Sequence, residues 1–296
     1  MSNDTAHMIE CDNLVKIYKT RDTEVMALQG LDLTVERSEF MAIIGASGSG
    51  KSTLLNILGG LDTPTMGKVS VDGREIRNMS RMELATYKRE TVGFVWQNNA
   101  RNLIPYLTAI ENVELIGRIK GRLSKKYASK LIDMVGLTGR KKNKLGELSS
   151  GEQQRIAIAI ALINKPKLLL ADEPTGAVDS RTALTIMELF EQLRTELGVT
   201  IVIVSHDHNI TKHVGRVVAI RDGKTSSEIL RTSIIGNIAN LASFDEEHLE
   251  LAVVDRYGRV QMPQELLEKL SIENKSKVRI DEEDGKIIVY PVDVQQ

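Results

Sequence analysis

Apolar and polar residues alternate through MIECDNLVKIYK and LDLTVERSEFMAII, within residues 8–43, and the polar TRDTE interrupts them. A period of two predicts short, half-buried strands on either side of a turn. VSVDGREI (69–76) repeats the signal, with Asp72-Gly73 as its turn pair. Residues 52–60, 107–140 and 181–197 instead carry apolar residues at helical spacing, with a stop at Gly136. IAIAIALI (156–163) alternates like a strand, but its alanines favour a helix that opens at Ser149 and closes at Lys165-Pro166. KLLLAD (167–172) and TIVIVSHD (200–207) are unbroken apolar runs ending in polar residues, the mark of parallel strands buried on both faces. This order predicts an α/β fold with a parallel-sheet core and its chemistry at the carboxyl ends of the strands.

Composition narrows the setting. The 296-residue chain is 42% hydrophobic and 27% charged, as expected of a soluble globular protein of one large domain or two. Its net charge of −1 makes no global case for nucleic acid or an anionic membrane. Cys11 is the only cysteine, which excludes a disulfide framework within one chain and suits a reducing cytosol. The first residues, MSNDTAHMIE, lack an apolar signal core. No run approaches the roughly 18–20 apolar residues of a spanning helix, so work at a membrane calls for a membrane-embedded partner. The charge is uneven. Residues 241–296 hold 7 Lys/Arg against 13 Asp/Glu, a net of −6, and the remainder is at +5, which suggests a boundary near 226–250.

Two motifs carry chemistry. GASGSGKST comprises Gly45, Ala46, Ser47, Gly48, Ser49, Gly50, Lys51, Ser52 and Thr53, between the apolar FMAII and LLNIL. It fits the phosphate-loop pattern G-x-x-x-x-G-K-[ST]. Glycines let the backbone curl until several N–H groups face one anion, and the helix that follows adds its positive end. Lys51 is placed for the β- and γ-phosphates, the Ser52 hydroxyl for Mg²⁺, and Thr53 for the α-phosphate side. KLLLADEPTGAVDS is the second. Asp172, at the end of a buried strand, can hold Mg²⁺ through its water shell, and Glu173 can polarise a water for in-line attack on the γ-phosphate.

With these motifs in place, residues 8–228 resemble the ATP-binding subunit of an ABC transporter, a P-loop NTPase with an antiparallel β subdomain and a helical subdomain at about 98–165. GASGSGKST is similar to its Walker A motif, LLLADEP to Walker B, and LSSGEQQR (148–155) to the signature motif. Gln97 matches the Q-loop, Asp179 the D-loop, His206 the switch histidine and Tyr18 the aromatic that stacks on adenine. The resemblance implies ATP and Mg²⁺ as cofactors, with Ser52, Gln97 and Asp172 around the metal. It implies hydrolysis by Glu173, with His206 and Gln97, in a homodimer. There Ser149 and Gly151 of one protomer complete the ATP site of the other, and Asp179 is a further nucleotide-binding residue. One position departs: Ser150 stands where the family usually has glycine.

VGFVWQNNARNLIPYLTAIENVEL resembles the branch that serves lipoprotein-release, macrolide-efflux and FtsX-type permeases. There Leu103, Ile104, Pro105, Tyr106 and Leu107 would receive a coupling helix; an ordinary core-facing loop is the alternative. The implied location is cytoplasmic, on the inner face of the cell membrane through that permease.

After a linker at 229–249, residues 250–296 predict a hairpin, a helix from Pro263 and a second hairpin, with turns at Tyr257-Gly258 and Asp284-Gly285. The segment resembles the AbrB/MazE/SpoVT swapped-hairpin domain, a small β-rich obligate dimer. Its charge of −6 argues against duplex DNA, which calls for clustered cations. The alternative to a transporter motor is a soluble ATP-dependent regulator that binds DNA through this tail.

Overall fold

The computed structural model describes residues 7–20, 23–97, 103–119, 121, 124–231, 248–254, 258–262, 264–270, 272, 278–283 and 285–291. The chain divides into two compact units, 1–251 and 252–296.

The first unit opens with β1 (Ile9–Lys19), β2 (Glu24–Val35) and β3 (Phe40–Ile44). Helix α1 (Lys51–Leu58) leads to β4 (Met66–Val71), the two-residue β5 (Arg74–Glu75) and helix α2 (Arg81–Glu90). Strand β6 (Val92–Val95) precedes helices α3 (Ala109–Ile119), α4 (Lys125–Met134) and α5 (Ser150–Leu162). Then come β7 (Leu168–Asp172), α6 (Ser180–Leu197), β8 (Thr200–Ser205), β9 (Arg216–Arg221), β10 (Lys224–Arg231) and β11 (His248–Ala252).

These strands form a four-stranded sheet, β2-β1-β4-β5, and a seven-stranded sheet, β11-β10-β9-β3-β8-β7-β6. The small sheet is antiparallel, and the centre of the large one is parallel. Every residue of β3 and β8 is buried, which explains why their sequences do not alternate. One core joins the large sheet to α3, α4, α5 and α6 through residues such as Phe40, Val113, Leu131, Ile158 and Phe190. A second lies between the two sheets and α1, around Leu14, Leu31, Ile43, Leu55 and Tyr87. Each such side chain contributes about 1.5–3 kcal/mol when fully buried.

Register fixes where chemistry can occur. Ile44 of β3 pairs with Ser205 of β8, and Asp172 of β7 pairs with Val204 of β8. Three neighbouring strands therefore end at one level, and the segments after them share one rim of the sheet.

The expected helix over 156–163 is present inside α5, with Ser149 as N-cap in a reciprocal capping box with Glu152. The expected linker at 229–249 overlaps β10 at one end and β11 at the other, while 232–247 lies outside the described residues.

In the second unit the later hairpin forms, from β12 (Val278–Glu283) and β13 (Lys286–Pro291), preceded by α7 (Gln264–Lys269). Of the earlier one, the described residues show a bridge between Val254 and Val260. HLELA, at the start of the expected tail, forms β11 at the edge of the large sheet instead. The expected swapped-hairpin domain thus stands here as one small β-hairpin with a short helix. Pro263, Tyr257 and Asp284, expected at the helix start and the turns, lie outside the described residues.

Candidate active site

The phosphate loop leaves β3 at Ile44 and enters α1 at Lys51. Its glycines answer two crowding problems. A Cβ on Gly45 would lie 2.3 Å from the Ile220 carbonyl oxygen, and one on Gly50 would lie 2.4 Å from that of Ala27. Gly50 is also at φ +104°, where a side chain is strained. The Lys51 ammonium donates to the Gly45 carbonyl at 2.7 Å and the Ala46 carbonyl at 2.9 Å. Burial lowers its pKa, against the pull of Glu173 and Asp172.

A cavity of about 510 Å³ opens over the loop. Ser47, Gly48, Gly50, Lys51, Ser52, Thr53, Gln97, Asp172, Glu173 and His206 line it. The structure thus gathers Walker A, Walker B, Q-loop and switch-histidine positions around one space. Ser52 donates to Asp172 Oδ1 at 3.5 Å, so a hydroxyl and a carboxylate are paired where a divalent cation needs oxygen ligands. The Ser49 hydroxyl is buried without a hydrogen-bond partner. The Lys51 ammonium, the Ser52 hydroxyl and the Asp172 carboxylate on one cavity wall fit a magnesium–triphosphate group.

Glu173 has φ +47°, the left-handed region that a non-glycine residue adopts only under constraint. Its N–H donates to the Val204 carbonyl, which anchors the turn to β8. Its carboxylate accepts from Ser205 Oγ at 3.1 Å and lies 2.7 Å from His206 Nδ1.

Ser149, Gly151 and Asp179 do not line this cavity. Ser149 Oγ accepts the Glu152 N–H, and its hydroxyl also bonds the Glu152 carboxylate. A Cβ on Gly151 would meet Thr182 Cγ2 at 2.3 Å. Asp179 caps α6, accepting from Arg181 N, Thr182 N and Thr182 Oγ1, and those bonds hold its pKa below the usual carboxylate range. The turns at the starts of α5 and α6 are therefore packed together through Gly151 and Thr182.

Tyr18 lies on β1, 39% exposed, with its hydroxyl donating to Asp62 at 2.8 Å. Three further residues at the mouth, Val25, Met26 and Ala27, were not singled out in the sequence. Their signal was an apolar run just after the polar TRDTE; Val25 and Met26 are 57% and 50% exposed. Ser205 was missed as well, and only the adjacency of β7 and β8 reveals its bond to Glu173. Leu103, expected in a contact patch, is a core residue, whereas Tyr106 is 74% exposed.

A strand–phosphate loop–helix unit with acidic residues at the end of another parallel strand of the same sheet defines a P-loop nucleoside triphosphatase. The sequence profile described as ABC transporter matches residues 28–176. The chain belongs to the ABC transporter ATP-binding family, and it is an ATP-binding, ATP-hydrolysing subunit. It is 43% identical over 228 residues to the ABC transporter ATP-binding protein MJ0796 of Methanocaldococcus jannaschii, covering 75% of this chain and 96% of that one. It is 43% identical over 224 residues to the lipoprotein-releasing system ATP-binding protein LolD of Geobacter metallireducens, covering 75% and 99%. It is also 42% identical over 247 residues to the macrolide export ATP-binding/permease protein MacB of Rhodopirellula baltica, covering 82% of this chain but only 36% of that one. The chain thus spans about a third of the MacB proteins it matches. A solved structure of MJ0796, dimeric and bound to ADP and phosphate, has a TM-score of 0.68 at 42% identity, over 75% of this chain and 97% of that one. Among the described residues, no helix is long and apolar enough to cross a membrane.

Proposed function

We propose that this subunit closes as a homodimer around two ATP molecules and drives a separate FtsX-type membrane permease, for export or for mechanical work on extracytoplasmic domains. The observation that carries the reading is the convergence of Lys51, Ser52, Gln97, Asp172, Glu173 and His206 on one cavity. The family supplies ATP and Mg²⁺ as the chemistry of that cavity.

The positions of the residues support the following roles. Lys51 neutralises the terminal phosphates, helped by the loop amides of Gly45–Ser52. Ser52, Asp172 and Gln97 hold Mg²⁺, and Thr53 supports the α-phosphate side. Glu173 accepts the proton of the attacking water, and His206 orients that carboxylate and contacts the γ-phosphate. Ser149 and Gly151 of the partner protomer donate to the same phosphate, with Asp179 placed at the interface. Their separation from the cavity within one protomer supports this assignment. Tyr106 lies on the surface offered to the permease, which holds the subunit at the inner face of the membrane.

The second unit is read as an AbrB-like swapped-hairpin dimerisation domain. No apolar side chain is buried among the described residues of 252–296. On β12–β13, Ile280 faces Val289 and Glu282 faces Ile287, so Ile280, Val289 and Ile287 share one face of the hairpin. Ile280 is 64% exposed and Ile287 79%. A second copy of the same hairpin supplies the missing core. The tail's negative charge argues against DNA as its partner.

Glu173→Gln tests the whole reading. Turnover should fall by about 100-fold or more while ATP binding persists, and Mg–ATP should trap a stable dimer visible by light scattering. A trapped species of one protomer, or turnover equal to wild type, would refute the composite site or the base in turn.

A further inference from the structure

We infer that Asp62 and Lys16 are positioning residues for the base-binding half of the nucleotide site: they lock the Tyr18 ring by its hydroxyl and cover one of its faces, leaving the other for adenine. The inference rests on the reading of Tyr18 as the adenine platform and adds the residues that fix its orientation.

An aromatic ring that is 39% exposed near the end of β1 has rotamer freedom to lose when a base stacks on it. Here that freedom is already restricted. The Tyr18 hydroxyl donates to Asp62 Oδ2 at 2.8 Å and also meets the Thr53 hydroxyl at the end of the phosphate loop. Lys16 Nζ donates to Asp62 Oδ1 at 2.6 Å and to the Thr63 carbonyl at 2.8 Å. Lys16 and Tyr18 are two apart on β1 and share a face, and the Lys16 ammonium lies 4.8 Å from the Tyr18 ring centroid. One face of the ring is thereby taken by a cation.

Asp62 is itself well held. Thr63 N–H donates to its Oδ1 at 2.7 Å. Burial acts to raise its pKa, but the bonds from Lys16, Tyr18 and Thr63 outweigh it and keep the group ionised. The turn is stitched to β1 twice more, by Ile17 N–H to Thr65 Oγ1 and Thr65 N–H to the Val15 carbonyl. Asp62 follows the Gly59-Gly60-Leu61 turn that closes α1, the helix whose first residue is Lys51. The same short helix therefore sets the phosphate end and, through Asp62, the base end of the site, so their spacing is built into the fold.

The test compares ATP with magnesium tripolyphosphate, which has no base, on the full chain. Asp62→Asn keeps the size and loses the charge; Tyr18→Phe removes one hydroxyl and keeps the ring. Each should raise KM for ATP about three- to tenfold, the equivalent of one hydrogen bond. Affinity for tripolyphosphate should stay within twofold. The double variant should be no worse than the weaker-binding single variant, because both remove the same bond. Lys16→Met should give a loss of the same kind. The inference fails if Asp62→Asn leaves KM for ATP within twofold, if tripolyphosphate binding weakens in step with ATP, or if the two single effects add in full. A wild-type protein that binds ATP no better than tripolyphosphate would instead refute the adenine platform itself.

Discussion

His206 Nδ1 sits 2.7 Å from Glu173 Oε1, while Ser205 Oγ donates to the other oxygen of the same carboxylate at 3.1 Å. The last residue of β8 and the one after it thus grip both oxygens of the residue that follows β7. A carboxylate fixed at two points is already oriented, and orientation is a large share of what a base in the role proposed for Glu173 contributes. His206→Ala should lower kcat about 100-fold, since it removes a ligand contact as well as the clamp. Ser205→Ala should lower kcat about tenfold, the loss of one hydrogen bond, with KM little changed. Steady-state phosphate release checks both. Equal, negligible effects would show that the clamp does not matter.

Gly151 is where two helix starts touch. The contact atom, Thr182 Cγ2, belongs to a β-branched side chain whose hydroxyl is bonded to Asp179 at 2.7 Å, so it cannot swing away cheaply. Gly151→Ala should cost about 1–3 kcal/mol in chemical denaturation and should reduce turnover more than ATP binding. Thr182→Ser removes only the offending methyl and keeps the bond to Asp179. Adding it to Gly151→Ala should recover most of both losses, and no recovery would mean that the clash lies elsewhere.

Asp72 couples distant segments. Its carboxylate, 6% exposed, pairs with Arg37 at 2.8 Å and Lys167 at 2.6 Å, joining the β4–β5 turn to the start of β7. Burial pushes its pKa up, but the two cations outweigh burial and hold it below the usual aspartate range. A carboxylate with a lowered native pKa stabilises the fold above its unfolded pKa and loses that contribution as pH falls through the native value. Asp72→Asn should therefore cost about 1 kcal/mol at pH 7, a figure kept small because both cations are partly exposed and screened. The difference from wild type should close below about pH 4. Urea titrations at several pH values and at high salt would read this; a difference that stays constant with pH would exclude the charge pair as its source.

Removal of residues 252–296 tests the tail. If the hairpins of two copies complete one core, the full chain should be dimeric without nucleotide and the truncated chain monomeric, as read by sedimentation. ATP-dependent pairing of the truncated protein should then need a higher protein concentration, because the tail no longer raises the effective concentration of partners. A truncated chain as dimeric as the full one would rule this out.

Much of the site was legible because its chemistry is local. The phosphate loop needs glycines and a lysine at fixed offsets, and the acidic pair needs only a buried strand ahead of it, so both could be read over a few residues. Asp62, Lys16, Val25 and Ser205 were not legible for the opposite reason. Lys16 and Tyr18 meet Asp62 across 46 and 44 positions, and Ser205 meets Glu173 across 32, distances that only strand pairing closes. The tail shows the same limit. HLELA was not read as a strand, because its pairing depends on the free edge of β10, which no local pattern announces.

The self-bonding of Lys51 has a consequence for selectivity. Its ammonium already rests on two main-chain oxygens of its own loop. An incoming molecule gains nothing by merely fitting the space, because it must outbid those carbonyls. Neutral acceptors offer only an even trade, whereas ionised oxygens form bonds about twice as strong. The latch therefore opens to dense negative charge first and to shape second, which screens out uncharged look-alikes before any part of the base is felt.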